Sequence, residues 1–259
     1  MNAVPGTWLP ALPAVVGLAL LAWAIATARR NVGLVDVFWS LFLLLAAVVY
    51  AANAPALAIR GWLVLGLVAA WSLRLSGYLA ARNWSAPEDH RYRAIRERNE
   101  PNFAVKSLYL VFGLQAILAW LVSAPLAAAI DSVEPLGAID MLGAALAVFG
   151  IVYESLADAQ LARFKSGAAS VGQVMDRGLW RYSRHPNYFG EFCVWWGLFV
   201  MALGAGGWWT VFSPILMSAL LLRVSGVTLL ERDIGERRPG YRAYVARTNA
   251  FFPGRPRKA

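Results

Sequence analysis

Fourteen consecutive residues, "GLWRYSRHPNYFGE" at 178–191, gather Arg181, Tyr182, Arg184, His185, Asn187, Tyr188 and Glu191, and the fifteen that follow, "FCVWWGLFVMALGAG", carry no charge. Asn187 and Glu191 are four apart, so on a helix they share a face. Glu154 and Asp158 repeat that spacing upstream, and Arg163 and Lys165 follow them at the same mouth. Pro186 is tolerated at a helix start, Asn187 suits a cap or first-turn position, and the free N–H groups and positive dipole end of such a helix favour an anion. With Arg184 and Lys165 added, this mouth is suited to receiving phosphates.

Other ionisable residues fall inside apolar runs: Asp36, Arg74 and Arg223. Each costs about 2.5–3.5 kcal/mol at mid-depth in a bilayer, so each points to function or to an interhelical ion pair. The topology read below puts all of them in the cytoplasmic half and leaves aromatic, small and amide residues to the outer half. The expected shape is a polar site open to the cytoplasm and capped by an apolar chamber, fit for a charged, water-borne cofactor and a greasy substrate. Other chemistries find no support. No glycine-rich dinucleotide fingerprint follows a strand and no phosphate-loop motif occurs. "GAGG" at 204–207 reads as a tight turn. Two histidines, His90 and His185, and the lone Cys193 give neither a metal site nor a disulfide. "PEDHRYRAIRER" at 87–98 alternates charges and reads as a solvated, interfacial helix.

The elements that must hold these groups are membrane helices. Of 259 residues 59% are hydrophobic, and mean hydropathy is +0.53. Seven runs approach the ~20 residues that a spanning helix needs: roughly 8–28, 33–54, 59–81, 104–130, 136–162, 188–204 and 208–230. Nothing basic precedes the first, so it reads as a retained helix rather than a signal peptide. With the N-terminus outside, the segments around 29–31, 82–106, 163–187 and 231–259 face the cytoplasm and hold 21 of 24 Lys and Arg, a positive-inside pattern. The net charge of +9 then reflects topology and anionic lipid, not nucleic acid. The expectation is an all-α integral membrane protein with seven transmembrane helices, the C-terminus in the cytoplasm and a single domain over 1–259. Helices one to four, about 8–130, would form a substrate chamber, and helices five to seven, about 136–259, a cofactor site. A monomer is favoured.

At "GLWRYSRHPNYFGE" the chain resembles the steroid 5α-reductase family in its bacterial branch, through the glycine-leucine-aromatic start, a tyrosine, Asn187 and Gly190-Glu191. The likeness extends to Glu154, Asp158, Arg223 and "YRAYVARTNAFFP" from Tyr241 to Pro253, and in the N-terminal half to Arg74 with Tyr78. It implies a multi-pass enzyme of the bacterial inner membrane that uses NADPH to reduce a C=C bond conjugated to the ketone of a steroid-like lipid. Carried over, Asp158, Lys165, Arg184, Asn187, Glu191 and Arg223 would contact NADPH, with Glu154, Tyr182, His185 and Tyr244 as further candidates. Lys165 and Arg163, with Arg184, would meet the 2′-phosphate. Hydride would reach the enone β-carbon, and a donor at the carbonyl oxygen would stabilise the enolate. In the family a carboxylic acid and a tyrosine hold the ketone. Asp36 is the acid here, expected to be protonated by burial. The tyrosine falls near Trp71, which is no phenol, so Tyr78, one turn after Arg74, is the nearest substitute. Isoprenylcysteine carboxyl methyltransferases share the "RHPNY" style of ending and use S-adenosylmethionine, which leaves a membrane methyltransferase as the alternative. A lipid-binding or transport protein is a third reading.

Overall fold

The structure, a computed structural model, describes residues 5–167, 172–224 and 240–257. The end of the seventh expected helix, 225–230, and the segment 231–239 lie outside them. Every described regular element is helical. In chain order these are α1 Ala11–Ala28, α2 Val35–Asn53, α3 Ile59–Asn83, α4 His90–Asn99, α5 Phe103–Ser107, α6 Leu114–Val122, α7 Ala124–Ile130, α8 Ala138–Ser166, α9 Pro186–Gly204, α10 Phe212–Ala219 and α11 Tyr241–Arg247. Helices satisfy every interior backbone donor and acceptor within the segment, which a bilayer core demands. Among the described residues, five stretches are long and apolar enough to cross a membrane: Ala11–Ala28, Val32–Asn53, Ile59–Asn83, Phe103–Ile130 and Ala138–Ser166. These are the marks of an integral membrane protein. α9 has 19 residues, and Trp208–Arg223 is a shorter apolar helix.

The fourth expected run is a chain of pieces. α5 passes through a π-helical turn, Leu108–Gly113, into α6, and α7 follows with Pro125 in its first turn. Proline has no N–H to give the preceding turn, so the helix restarts there.

The chain divides into two compact units. The first comprises 1–141 and 199–213, the second 142–198 and 214–259. In the first, Ala11, Val15, Ala19, Ala22 and Ala26 recur at three and four residues and form the buried face of α1. Such small residues let helix backbones approach where lipid supplies no hydrophobic drive. Polar pairs add register: Ser40 Oγ donates to the Ser72 carbonyl at 3.0 Å, and Ser72 Oγ to the Ser40 carbonyl at 2.7 Å, pinning α2 to α3.

The structure adds an ion pair that the sequence reading did not place. Arg60, in the first turn of α3, and Asp140, in the first turn of α8, are each 1% exposed and paired at 2.7 Å. The remaining Arg60 donors reach Ser132 Oγ and the Glu134, Pro135 and Gly204 carbonyls, and Gly137 N–H donates to Asp140. Arg60 and Asp140 thus form a buried clasp between the first turns of α3 and α8.

In the second unit, a glycine seam joins α8 to α9. A Cβ on Gly150 would meet the Gly190 carbonyl and the Val194 nitrogen at 2.6 Å; one on Gly190 would meet the Glu154 nitrogen at 2.6 Å; one on Gly197 would meet the Ala147 nitrogen and Gly143 carbonyl at 2.6 Å. The two backbones lie nearly in contact, and only glycine fits.

Candidate functional site

Two polar clusters carry the sequence-predicted residues, one in each unit. In the second unit the glycine seam sets the geometry. Gly190 lies against Glu154, so the Glu154 and Asp158 turns of α8 lie beside the Asn187 and Glu191 turn of α9. Asn187 Nδ2 donates to Asp158 Oδ1 at 3.2 Å. Glu154 is 2% exposed, Asp158 4% and Glu191 6%, and His185 is buried too. Three carboxyl groups are thus buried in or beside an apolar seam, where each is engaged by neighbouring groups. Among the described residues no His, Cys, Asp and Glu group has metal-ligand geometry. The carboxylates fit instead an organic ligand rich in O–H and N–H donors.

The motif around them is braced by the segment 241–257. Tyr244 hydroxyl donates to the Trp180 carbonyl and, at 3.2 Å, to that of Ser183. Ser183 Oγ donates to the Phe251 carbonyl at 2.7 Å, and Arg184 N–H to that of Asn249 at 2.9 Å. Arg184 Nη1 donates to the Thr248 carbonyl at 2.6 Å, at the negative end of α11. Arg184 and Tyr244 are therefore engaged in holding the tail on the motif. Gly178, at φ +57°, lies where a Cβ would strike Gln160 at 2.4 Å, and Gln160 Oε1 accepts the Leu179 N–H at 2.9 Å. His185 stacks on Tyr188, with ring centroids 5.7 Å apart. Arg163 and Lys165 project exposed from the last turns of α8, Tyr182 is exposed, and Arg223 is exposed on a π-helical turn, Leu220–Val224.

In the first unit the sequence reading missed a residue. Tyr92, on α4, is buried, and its hydroxyl donates to Asp36 Oδ1 at 2.5 Å. Arg91 Nη2 reaches Asp36 Oδ2 at 3.1 Å, and Gln115 Nε2 donates to the Tyr92 oxygen at 3.4 Å from just beyond the π-helical turn. Asp36 accepts a hydrogen bond on each oxygen, from Tyr92 on Oδ1 and from Arg91 on Oδ2. Burial first, and the Asp36 charge second, push the Tyr92 phenol well above its ordinary value, so it keeps its proton. α4 is placed by its cap: Asp89 Oδ1 accepts the Arg91 N–H at 3.0 Å. Glu88 accepts the Val32 N–H at 2.8 Å and is held by Arg96. Gly33 leaves room for the Tyr92 ring, which a Cβ would approach to 3.2 Å. The expected solvated helix therefore has one buried face. Its signal was a lone tyrosine amid alternating charges. Arg74 and Tyr78 lie one turn apart on α3, and the Arg82 guanidinium sits 5.7 Å over the Tyr78 ring. Trp71, the residue at the expected tyrosine position, is fully buried.

A family model described as "Protein of unknown function (DUF1295)" matches residues 22–248. The chain is similar to "Uncharacterized protein C594.04c" of Schizosaccharomyces pombe, at 27% identity over 286 residues, covering 93% of this chain and 80% of that one. No solved structure matches.

Proposed function

We propose that this chain, which belongs to the DUF1295 family, is an NADPH-dependent reductase of the C=C bond conjugated to the ketone of a steroid-like lipid. The observation that carries the reading is the buried set Glu154, Asp158, Asn187 and Glu191 on the α8–α9 seam, in the motif that resembles the steroid 5α-reductases. Buried carboxylates and an amide suit ribose hydroxyl and carboxamide groups, and the exposed Arg163 and Lys165 suit a 2′-phosphate. The cofactor, when bound, supplies a hydride.

The chain's own part is to bind, orient and stabilise. Tyr92 keeps its proton, which is given to Asp36 Oδ1 in this structure, and is the donor proposed for the ketone oxygen once its hydroxyl turns from Asp36 to the substrate. A phenol aimed at that oxygen stabilises the charge that develops there in the transition state. Arg91 fixes the Asp36 carboxylate, which in turn fixes the Tyr92 hydroxyl. Arg74 and Tyr78 stay candidates for lining the substrate end.

We further propose seven crossings with the N-terminus outside. The five long stretches, α9 and the segment from 208 support the count, and the distribution of Lys and Arg supports the direction. Placement in a bacterial inner membrane rests on the resemblance alone.

The test is nucleotide binding by the detergent-solubilised protein, followed by reduction of a 3-oxo-Δ4 steroid. Tight NADPH, weaker NADH and enone reduction are expected. Binding of S-adenosylmethionine in place of NADPH would replace this reading by the methyltransferase.

A further inference from the structure

A cleft of ≈ 490 Å³ in the first unit is lined by Ala26, Thr27, Arg30, Val32, Arg96 and Ala104, apart from the residues assigned above to the reaction. We propose that it binds a phosphate group of net negative charge, as carried by an anionic phospholipid headgroup or by free phosphate.

Four observations carry this. Arg30 is exposed and has no ion-pair partner among the described residues. It also adopts φ +51°, a left-handed conformation that costs a non-glycine residue about 1–2 kcal/mol. A turn with no other duty would take glycine there. Arg96 is held by Glu88 through Nε and Nη2, which orients the guanidinium and leaves Nη1 for a further acceptor. Thr27 Oγ1 is buried without a hydrogen-bond partner, a donor awaiting an oxygen.

The end of a helix repels anions through its carbonyls, but here three of the last four are covered. Arg29, Arg30 and Asn31 N–H groups donate to Ile25, Thr27 and Ala26 oxygens at 3.0, 3.0 and 2.9 Å. The cleft also sits where a headgroup would be. α1 is a candidate membrane span ending at Ala28, and Trp23 Nε1 donates to the Ala104 carbonyl at 2.8 Å. Val105, next to Ala104, is 62% exposed, an apolar surface for an acyl chain.

The experiment uses the full chain in neutral detergent, titrated separately with phosphatidylglycerol, phosphatidylcholine and inorganic phosphate. Retention is read by native mass spectrometry and stability by thermal shift. Wild type should hold phosphatidylglycerol in preference to phosphatidylcholine. Arg30→Gly and Thr27→Val should each weaken that retention about tenfold or more, while Arg30→Gly, relieved of its backbone strain, stays as stable as wild type or gains. Stabilisation by inorganic phosphate alone, lost in the same variants, keeps the site and assigns it to free phosphate. Equal retention by wild type and both variants, or equal binding of the two lipids, overturns the proposal.

Discussion

At the scale of single residues, the two clusters make opposite predictions. Removing the Tyr92 hydroxyl in Tyr92→Phe takes away the proposed donor to the ketone together with the hydrogen bonds to Asp36 and from Gln115. The single-turnover rate should fall about 10²–10³-fold, as for other lost oxyanion donors, with NADPH affinity unchanged. A weakened affinity and an unchanged rate would remove Tyr92 from the chemistry. Lys165→Ala or Arg163→Ala should instead cost about tenfold to a hundredfold in NADPH affinity and spare NADH, because only NADPH carries the 2′-phosphate; parallel loss for both nucleotides would refute the assignment. Tyr92 also makes a prediction about pH. Burial and the Asp36 charge hold its folded pKa well above the ordinary phenol value of 10.0, so its contribution to stability is intact below that pH and is lost as pH rises past it. Wild type should lose more thermal stability than Tyr92→Phe between about pH 9 and 11; identical slopes would mean the phenol is not protected as described.

At the scale of elements, the decisive contacts are those where side chains are absent. Gly150→Ala and Gly190→Ala would each drive a Cβ into α8–α9 backbone at 2.6 Å. Overpacking of this kind costs about 1–3 kcal/mol, and it should separate the buried carboxylates from Asn187, lowering both melting temperature and nucleotide binding. Gly66→Ala, where nothing lies within 4 Å, is the control. A seam variant as stable as that control would show that the backbones are not in contact. The sequence made the helices legible because a bilayer demands long apolar runs, and the four-residue spacing of Glu154 with Asp158 and of Asn187 with Glu191 reported a shared face. It could not show the seam, because a glycine in an apolar run signals close approach only once its neighbour is known. α4 was misread for a similar reason. Arg93, Glu97 and Arg98 face water as the alternation implied, but Arg91 turns inward to Asp36, and the partners of Tyr92 are Asp36 and Gln115, 56 and 23 residues away in sequence.

For the molecule as a whole, Arg60 and Asp140 show what patterning hides. Their separation of 80 residues conceals a clasp that joins the start of α3 to the start of α8. Arg60→Ala leaves a buried, uncompensated carboxylate and should cost about 3–5 kcal/mol, whereas replacing both members by apolar residues should cost far less. Equal losses in chemical denaturation would contradict the clasp. The bracing of 178–192 by 241–257 has a consequence in time. Ribosomes deliver a chain from its N-terminus, so every membrane run is synthesised before Tyr244, Asn249 and Phe251 exist to receive Trp180, Ser183 and Arg184. An unfinished copy can therefore be threaded through the bilayer before the motif at 178–192 is braced. On the proposed reading the site is completed last, and a chain cut at residue 240 should insert normally, bind no NADPH and lose the protease protection of residues 178–185 that the full chain shows.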